Sequence, residues 1–326
     1  MRIRRVCGVL GGICALAAPL VVPGLVVPGL AGAEPGTTSS AERVAHYQPS
    51  PRAEAKAAPS GGRGGDFTGD QITDMLTRND AGALRVYPHS GTFDGKQTYR
   101  DPATIANGWG TQRWVGQGDL NADGFADALA VDQEGTLRWY PHTGEFAGQD
   151  TLGEPEVLGH GWNTTDLITT ADLNGDGYDD MVAHRKGTGD TYVYEHTREL
   201  NGTATFKEPV LLISGPEDDV QQIVADLTGD GVLDVLAKRP NGELELFSFT
   251  HGEQGKTFTI GYGWDLLDAI SVSDVTNDGN PDILGSRDGK LYVYPHSGSF
   301  DAANPAATLG KPVEVRAEWQ GGELLN

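Results

Sequence analysis

Apolar residues in this chain come in short runs, not in long amphipathic stretches. Ala128-Leu129-Ala130-Val131 and Val235-Leu236-Ala237 are continuous apolar segments of strand length. Turn residues follow such runs, at Glu134-Gly135, 187–190, Asn241-Gly242 and Asp288-Gly289. Asn-Gly and Asp-Gly pairs are strong hairpin signals. A second segment then alternates, as in Leu84-Arg85-Val86-Tyr87, Leu137-Arg138-Trp139-Tyr140 and Leu291-Tyr292-Val293-Tyr294. It ends in a recurrent corner: Tyr87-Pro88-His89-Ser90-Gly91, Tyr140-Pro141-His142-Thr143-Gly144 and Tyr294-Pro295-His296-Ser297-Gly298. Two further short strands, separated by a Gly-Trp turn, complete the unit. No stretch has the period and length of a helix.

Each unit opens on an acidic loop, best seen at 172–180, DLNGDGYDD. Asp172, Asn174, Asp176 and Asp180 stand at its first, third, fifth and ninth positions, and Gly177 at its sixth, where a tight curl needs positive φ. Alternate residues aiming hard oxygen donors at one centre is how a short loop wraps Ca²⁺. The loop recurs at 66–74 (DFTGDQITD), 119–127 (DLNADGFAD), 226–234 (DLTGDGVLD) and 274–282 (DVTNDGNPD). The corresponding donors are Asp66, Thr68, Asp70 and Asp74; Asp119, Asn121, Asp123 and Asp127; Asp226, Thr228, Asp230 and Asp234; and Asp274, Thr276, Asp278 and Asp282. Loops two and three carry the fuller donor set, with asparagine third and glycine sixth. Loops four and five have threonine third. Loop one has threonine third and Gln71 in place of the glycine, so strain is expected there. The competing reading is a set of tight Asp/Gly turns whose carboxylates cap backbone N–H groups; three converging carboxylates without a cation would repel one another.

The loops start 53, 53, 54 and 48 residues apart. Four strands per unit of roughly fifty residues is the arithmetic of a β-propeller blade. Trp109, Trp162 and Trp264 each lie ten residues before the next loop, and Pro216 takes that place before loop four. Trp319 has the same context but no loop after it, while the first loop lacks a strand before it. A C-terminal strand around Leu324-Leu325 would therefore complete the first blade. The expected fold is all-β: a β-propeller of five four-stranded blades over residues 66–326, closed by a C-terminal velcro strand, which also removes exposed edges. The histidine corner, with Phe249 replacing histidine in blade four, is expected to bond to backbone or to provide a repeated ligand contact. The Gly-Trp turns are expected either to pack between blades or to stack on sugar rings.

Composition adds an acidic surface and an export signal. The net charge of −22 argues against nucleic acid and anionic membranes, and suits cation binding. Residues 1–33 read as a secretory signal: Arg2, Arg4 and Arg5, an apolar run over 6–30, then Ala31-Gly32-Ala33. Pro19, Pro23 and Pro28 interrupt that run, which speaks against a membrane anchor, and no membrane span is expected in the mature chain. Cleavage would remove Cys7 and Cys14, the only cysteines, and three positive charges, taking the net charge to −25. An exported chain without disulfides needs another source of stability, and bound metal is one. Residues 34–65, rich in Ala, Pro, Ser and Gly, read as a flexible linker; whether 44–47 dock on the domain is left open.

The loop D-x-[NT]-x-D-G-x-x-D between strands resembles the calcium loop of FG-GAP and VCBS repeats of secreted bacterial proteins. The resemblance covers nearly all of 66–326, although the Phe-Gly and Gly-Ala-Pro elements are absent. It implies ligation by side chains at positions one, three, five and nine and by the main-chain carbonyl at seven, here Ile72, Phe125, Tyr178, Val232 and Asn280. In ring size the chain is similar to five-bladed tachylectin-type lectins. Up to five structural Ca²⁺ ions, secretion and a monomeric state are expected. The expected role is binding of another secreted or cell-surface protein, such as a protease. A multivalent lectin is the alternative, and a propeller enzyme a further one. No G-x-S-x-G, H-E-x-x-H or distinct acid/base pair is present, so no catalytic activity is expected.

Overall fold

The computed structural model describes residues 44–45, 65–249, 255–319 and 323–325. A short N-terminal strand, β1 (Val44–Ala45), precedes the repeats. Blade one holds β2 (Met75–Arg78), β3 (Leu84–Tyr87) and β4 (Ala103–Ala106); blade two holds β5 (Trp114–Gly118), β6 (Asp127–Val131), β7 (Leu137–Tyr140) and β8 (Glu156–Gly159). Blade three comprises β9 (Thr165–Ala171), β10 (Asp180–Arg185), β11 (Asp190–Tyr194) and β12 (Val210–Ser214). Blade four comprises β13 (Gln221–Ala225), β14 (Asp234–Lys238), β15 (Leu244–Ser248) and β16 (Lys256–Gly261). Blade five comprises β17 (Ala269–Ser273), β18 (Asp282–Arg287), β19 (Lys290–Tyr294) and β20 (Val313–Arg316), and the last strand is β21 (Glu323–Leu324).

Each blade is an antiparallel sheet in chain order, and β21 takes the place of the first strand of blade one, pairing with β2 through Thr77↔Leu324 and Arg78↔Glu323. The expected five-bladed architecture and velcro closure are both present. The only helical segments among the described residues are short 3-10 turns, and none of them is long and apolar enough to cross a membrane. β1 adds a fifth strand to the outer edge of blade three, so the linker reading does not extend to residues 44–45. The remainder of 1–64 lies outside the described residues, as does the proposed signal.

The alternating strands put their apolar positions inward: Leu84 and Val86 are fully buried while Arg85 between them is not. A four-stranded sheet this small has no core of its own. Five clusters of buried side chains each combine residues of two neighbouring blades. The cluster joining blade five to blade one contains Leu284, Val293 and Trp319 with Met75, Tyr87 and Leu324, so the closure is packed like the other four interfaces. Arg316 adds to it, lying 4.9 Å over the Tyr87 ring and donating to the Tyr99 and Arg100 carbonyls.

The Gly-Trp turns fill these interfaces. Trp109, Trp162, Trp264 and Trp319 are buried and lie 4.5, 4.7, 4.7 and 5.3 Å from Tyr140, Tyr194, Tyr294 and Tyr87 of the adjacent blade. Of the two expectations for these turns, packing between blades holds. Each indole turn is pinned by its backbone N–H to a hairpin glycine carbonyl, as Trp162 N–H to Gly135 at 3.0 Å. Gly135 has φ +87° and a side chain there would meet Asn163 at 2.7 Å, so the position accepts only glycine. Trp264→Ala is expected to cost about 3–5 kcal/mol, read as a lowered urea midpoint.

Candidate metal loops and the histidine clasp

In blades two to five the loop joins the first strand to the second, in blade one it leads into β2, and all five wind by the same device. The fourth and sixth residues both sit at positive φ: Gly69 and Gln71 in loop one, Ala122 and Gly124 in loop two, Gly175 and Gly177 in loop three, Gly229 and Gly231 in loop four, Asn277 and Gly279 in loop five. The strain expected at Gln71 is there, at φ +66°. Ala122 and Asn277 carry the same strain at the fourth position, which the sequence pattern did not single out.

This winding turns backbone N–H groups inward, and the carboxylates take them. The first-position aspartate accepts from residues four to six; Asp172 accepts from Gly175, Asp176 and Gly177 at 2.8, 3.0 and 3.0 Å. Asp226 does the same, and Asp66, Asp119 and Asp274 each accept from two of these three residues. The fifth-position aspartate accepts from the seventh N–H, as Asp70 from Ile72, Asp123 from Phe125, Asp176 from Tyr178, Asp230 from Val232 and Asp278 from Asn280. At the third position Asn121 and Asn174 each accept from the N–H two residues on. Thr68, Thr228 and Thr276 differ: each Oγ1 is buried with no hydrogen-bond partner.

The ninth-position aspartates go deepest. Asp74, Asp127, Asp180, Asp234 and Asp282 are at most 2% exposed. One oxygen accepts from the second or third N–H of the loop, and in four blades the other accepts the N–H of the corner histidine at 2.7–2.8 Å. In blade four, where Phe249 replaces the histidine, Asp234 Oδ1 has no partner. Burial pushes Asp74 and Asp127 up to about 7, Asp180 to about 8 and Asp282 to about 6, and Asp234 well above the carboxylate range, with the first-position carboxylate adding to the rise. The Thr68 and Thr276 hydroxyls oppose the rise at Asp74 and Asp282 without reaching hydrogen-bond geometry. Burial likewise raises Asp119 to about 6. Among the described residues no three carboxylates, imidazoles or thiols are gathered around one point at ligand distance. The hydrogen bonds themselves realise the turn-capping role of the aspartates.

Three of the corner histidines then tie their blade to the loop of the preceding one. Nδ1 accepts the N–H two residues on, at 3.0 Å for Gly91, Gly144 and Gly298 and 2.8 Å for Arg198. That fixes the proton on Nε2, which reaches a second-position carbonyl in the preceding blade: His142 to Phe67, His296 to Leu227, and His89 to Val275 across the closure, each at 3.1 Å. His196 Nε2 is buried without such a partner. Loop residues at the seventh position cover the rings, Phe125 on His142 and Tyr178 on His196 at 4.7 and 5.1 Å. Adjacent loops also bond directly, Ala126 N–H to the Asp66 carbonyl and Asp179 N–H to the Asp119 carbonyl. The loops thus form a linked series on one rim. Of the two expectations for the histidines, backbone bonding is the one observed. Its inter-blade partner was not legible in sequence, since the two ends of His89–Val275 are 186 residues apart.

Loop three has one feature of its own. Arg198, at φ +68° where Gly91, Gly144 and Gly298 stand in other blades, donates to Asp176 Oδ2 at 2.9 Å and covers its buried carboxylate.

Five blades, each with an acidic loop leading into its second strand, make this a repeat β-propeller. The chain belongs to the FG-GAP-like repeat family, whose sequence model matches residues 66–130, 119–183 and 172–237, together more than half of the chain. The three matches start at the first aspartates of loops one, two and three. No curated protein matches the chain. Among solved structures it is similar to an Agrocybe aegerita lectin described as recognising non-reducing terminal N-acetylglucosamine (20% identity, 76% of this chain and 64% of that one, TM-score 0.44). It is also similar to the BP39L lectin of Burkholderia pseudomallei (17% identity, 81% and 68%, TM-score 0.39). The chain spans 64% of the length of the Agrocybe lectin, and similarity at this level says nothing of a shared ligand.

Two outcomes are expected. His142→Phe, which loses the bond to blade one, should cost about 1–3 kcal/mol by urea unfolding, and His196→Phe less, because His196 makes no such bond. The second is a pH dependence. Raised carboxyl pKa values make the ion-free fold bind more protons than the unfolded chain from about pH 4 to about pH 8, so stability falls as pH rises through that window. Burial lowers His89, His142 and His196, which acts oppositely but only as pH falls below their ordinary 6.5. As pH rises from 6.5 to 8 the histidine effect fades and the carboxyl effect prevails. The melting temperature in chelator should fall across that interval, and a rising one would contradict the assignment.

Proposed function

We propose that this protein is a calcium-clasped binding propeller, exported from the cell, that engages another secreted or cell-surface protein. The observation that carries the calcium reading is the buried, incompletely satisfied oxygen set of the loops. Five ninth-position carboxylates are taken out of water, and Asp234 Oδ1 and the Thr68, Thr228 and Thr276 hydroxyls have no hydrogen-bond partner. Such hard oxygen donors fit Ca²⁺. Side chains at positions one, three, five and nine, with the seventh carbonyl, would hold it. The ion would supply positive charge where burial otherwise shifts the ninth-position carboxyls toward the neutral acid.

Export is supported by the N-terminal charge and apolar pattern of residues 1–33, and the lack of cysteine beyond Cys14 suits a fold that relies on metal. A role in binding is supported by an acidic propeller whose aspartates are engaged in holding the loops. The buried tryptophans remove the platforms on which a carbohydrate reading of the Gly-Trp turns stood. The sites are unequal. Loop two offers the asparagine and glycine without a competitor, whereas in loop three Arg198 already pairs with Asp176.

Calcium should raise the melting temperature over that in chelator, each independent site adding ~2.7 kcal/mol at one hundred times its Kd. Identical curves would refute structural calcium. Asp176→Ala should weaken this response more than Asp70→Ala, and Arg198→Gly should raise the affinity of one site by about tenfold in calorimetric titration, the equivalent of ~1.4 kcal/mol. Capture from culture supernatant with the calcium-loaded protein tests the partner class; binding to a glycan array instead would replace that reading with a carbohydrate one.

A further inference from the structure

The outer edges of the blades are covered in two different ways. In blades one, two, three and five the connection from the third strand to the fourth runs 15, 15, 15 and 18 residues. Each contains a 3-10 turn: Gly95–Gln97, Gly148–Asp150, Gly202–Ala204 and Pro305–Ala307. These turns lie against the fourth strands of the preceding blades, β20, β4, β8 and β16 respectively. The connection from β15 to β16 in blade four has seven residues, too few for the same excursion. The edge that loses its cover is β12, the outer strand of blade three. That strand is the one on which β1 sits, with Val44 opposite Ser214 and Ala45 opposite Ile213.

We propose that the outer edge of blade three is a strand-accepting interaction site whose occupant is an extended peptide of the kind this chain places there in cis at Val44–Ala45. An edge strand presents a row of backbone N–H and C=O groups that pairs with any extended chain of suitable register. The missing turn leaves that row available on β12, and Val210, 45% exposed on the same strand, offers the occupant an apolar contact. A two-residue strand makes few hydrogen bonds, each worth about 1 kcal/mol net. Its occupancy is favoured over that of a free peptide by its covalent connection to the same chain. The cis strand is thus a displaceable cover. The site lies apart from the acidic loops and does not depend on their holding calcium.

The test uses the full chain with Val44→Pro and Ala45→Pro, which removes the backbone donors of β1 without touching the ring. A synthetic peptide of residues 39–50 is the probe, and hydrogen exchange over residues 208–216 is the readout. Exchange there should quicken at least tenfold in the variant and slow again with millimolar peptide, while the unaltered protein ignores the peptide. Amides of β6 serve as the control for an intact fold. Dimerisation of the variant that the peptide reverses would also support an open edge. Unchanged exchange in the variant, or a variant indifferent to the peptide, would overturn the proposal.

Discussion

The buried aspartate at the ninth loop position is the interaction on which the rest of this ring depends. Its two oxygens face different ways. One gathers N–H groups from the start of the loop, and the other holds the N–H of the histidine fifteen or so residues later. With the backbone of the corner fixed, the imidazole is aimed out of its own blade, and its Nε2 proton meets a carbonyl of the preceding loop. One carboxylate therefore couples loop, corner and neighbouring blade. The energy of each bond is modest, about 1 kcal/mol, but an unmet carboxylate or carbonyl in such a place costs more.

Burying a carboxylate that deeply has an electrostatic consequence. Without a cation nearby the group is pushed into the range of a neutral acid, and the neighbouring aspartates push it further. The fold then has two ways to settle the charge: hold a proton, or hold a metal ion. In the structure the loop aspartates accept backbone N–H groups, as Asp172 does from Gly175, Asp176 and Gly177. Arg198 shows a third solution in loop three, where a guanidinium from the chain itself rests on Asp176.

Blade four is where the pattern thins. It has no corner histidine, its Asp234 keeps an unpartnered oxygen, and its third connection is shortened. The consequences appear in the neighbour: the outer strand of blade three receives the N-terminal strand in place of a turn. In a ring held by pairwise contacts between blades, a deletion in one unit is felt at the next.

Much of this was legible along the chain. The spacing of the loops fixed the blade number, the alternation in Leu84-Arg85-Val86-Tyr87 and its copies marked the strands, and the tryptophan without a following loop announced the closure, because these are local periodicities repeated five times. The role of each aspartate was half legible: residue type and spacing name a set of oxygen donors, but whether a carboxylate faces an ion or a backbone N–H depends on side-chain rotation. The partners of the histidines, the burial of the Gly-Trp rings against tyrosines one blade away, and the pairing of Val44–Ala45 with β12 were decided only by tertiary structure. These contacts join residues tens to hundreds of positions apart, and no local pattern encodes a distance that only the closed ring brings into being.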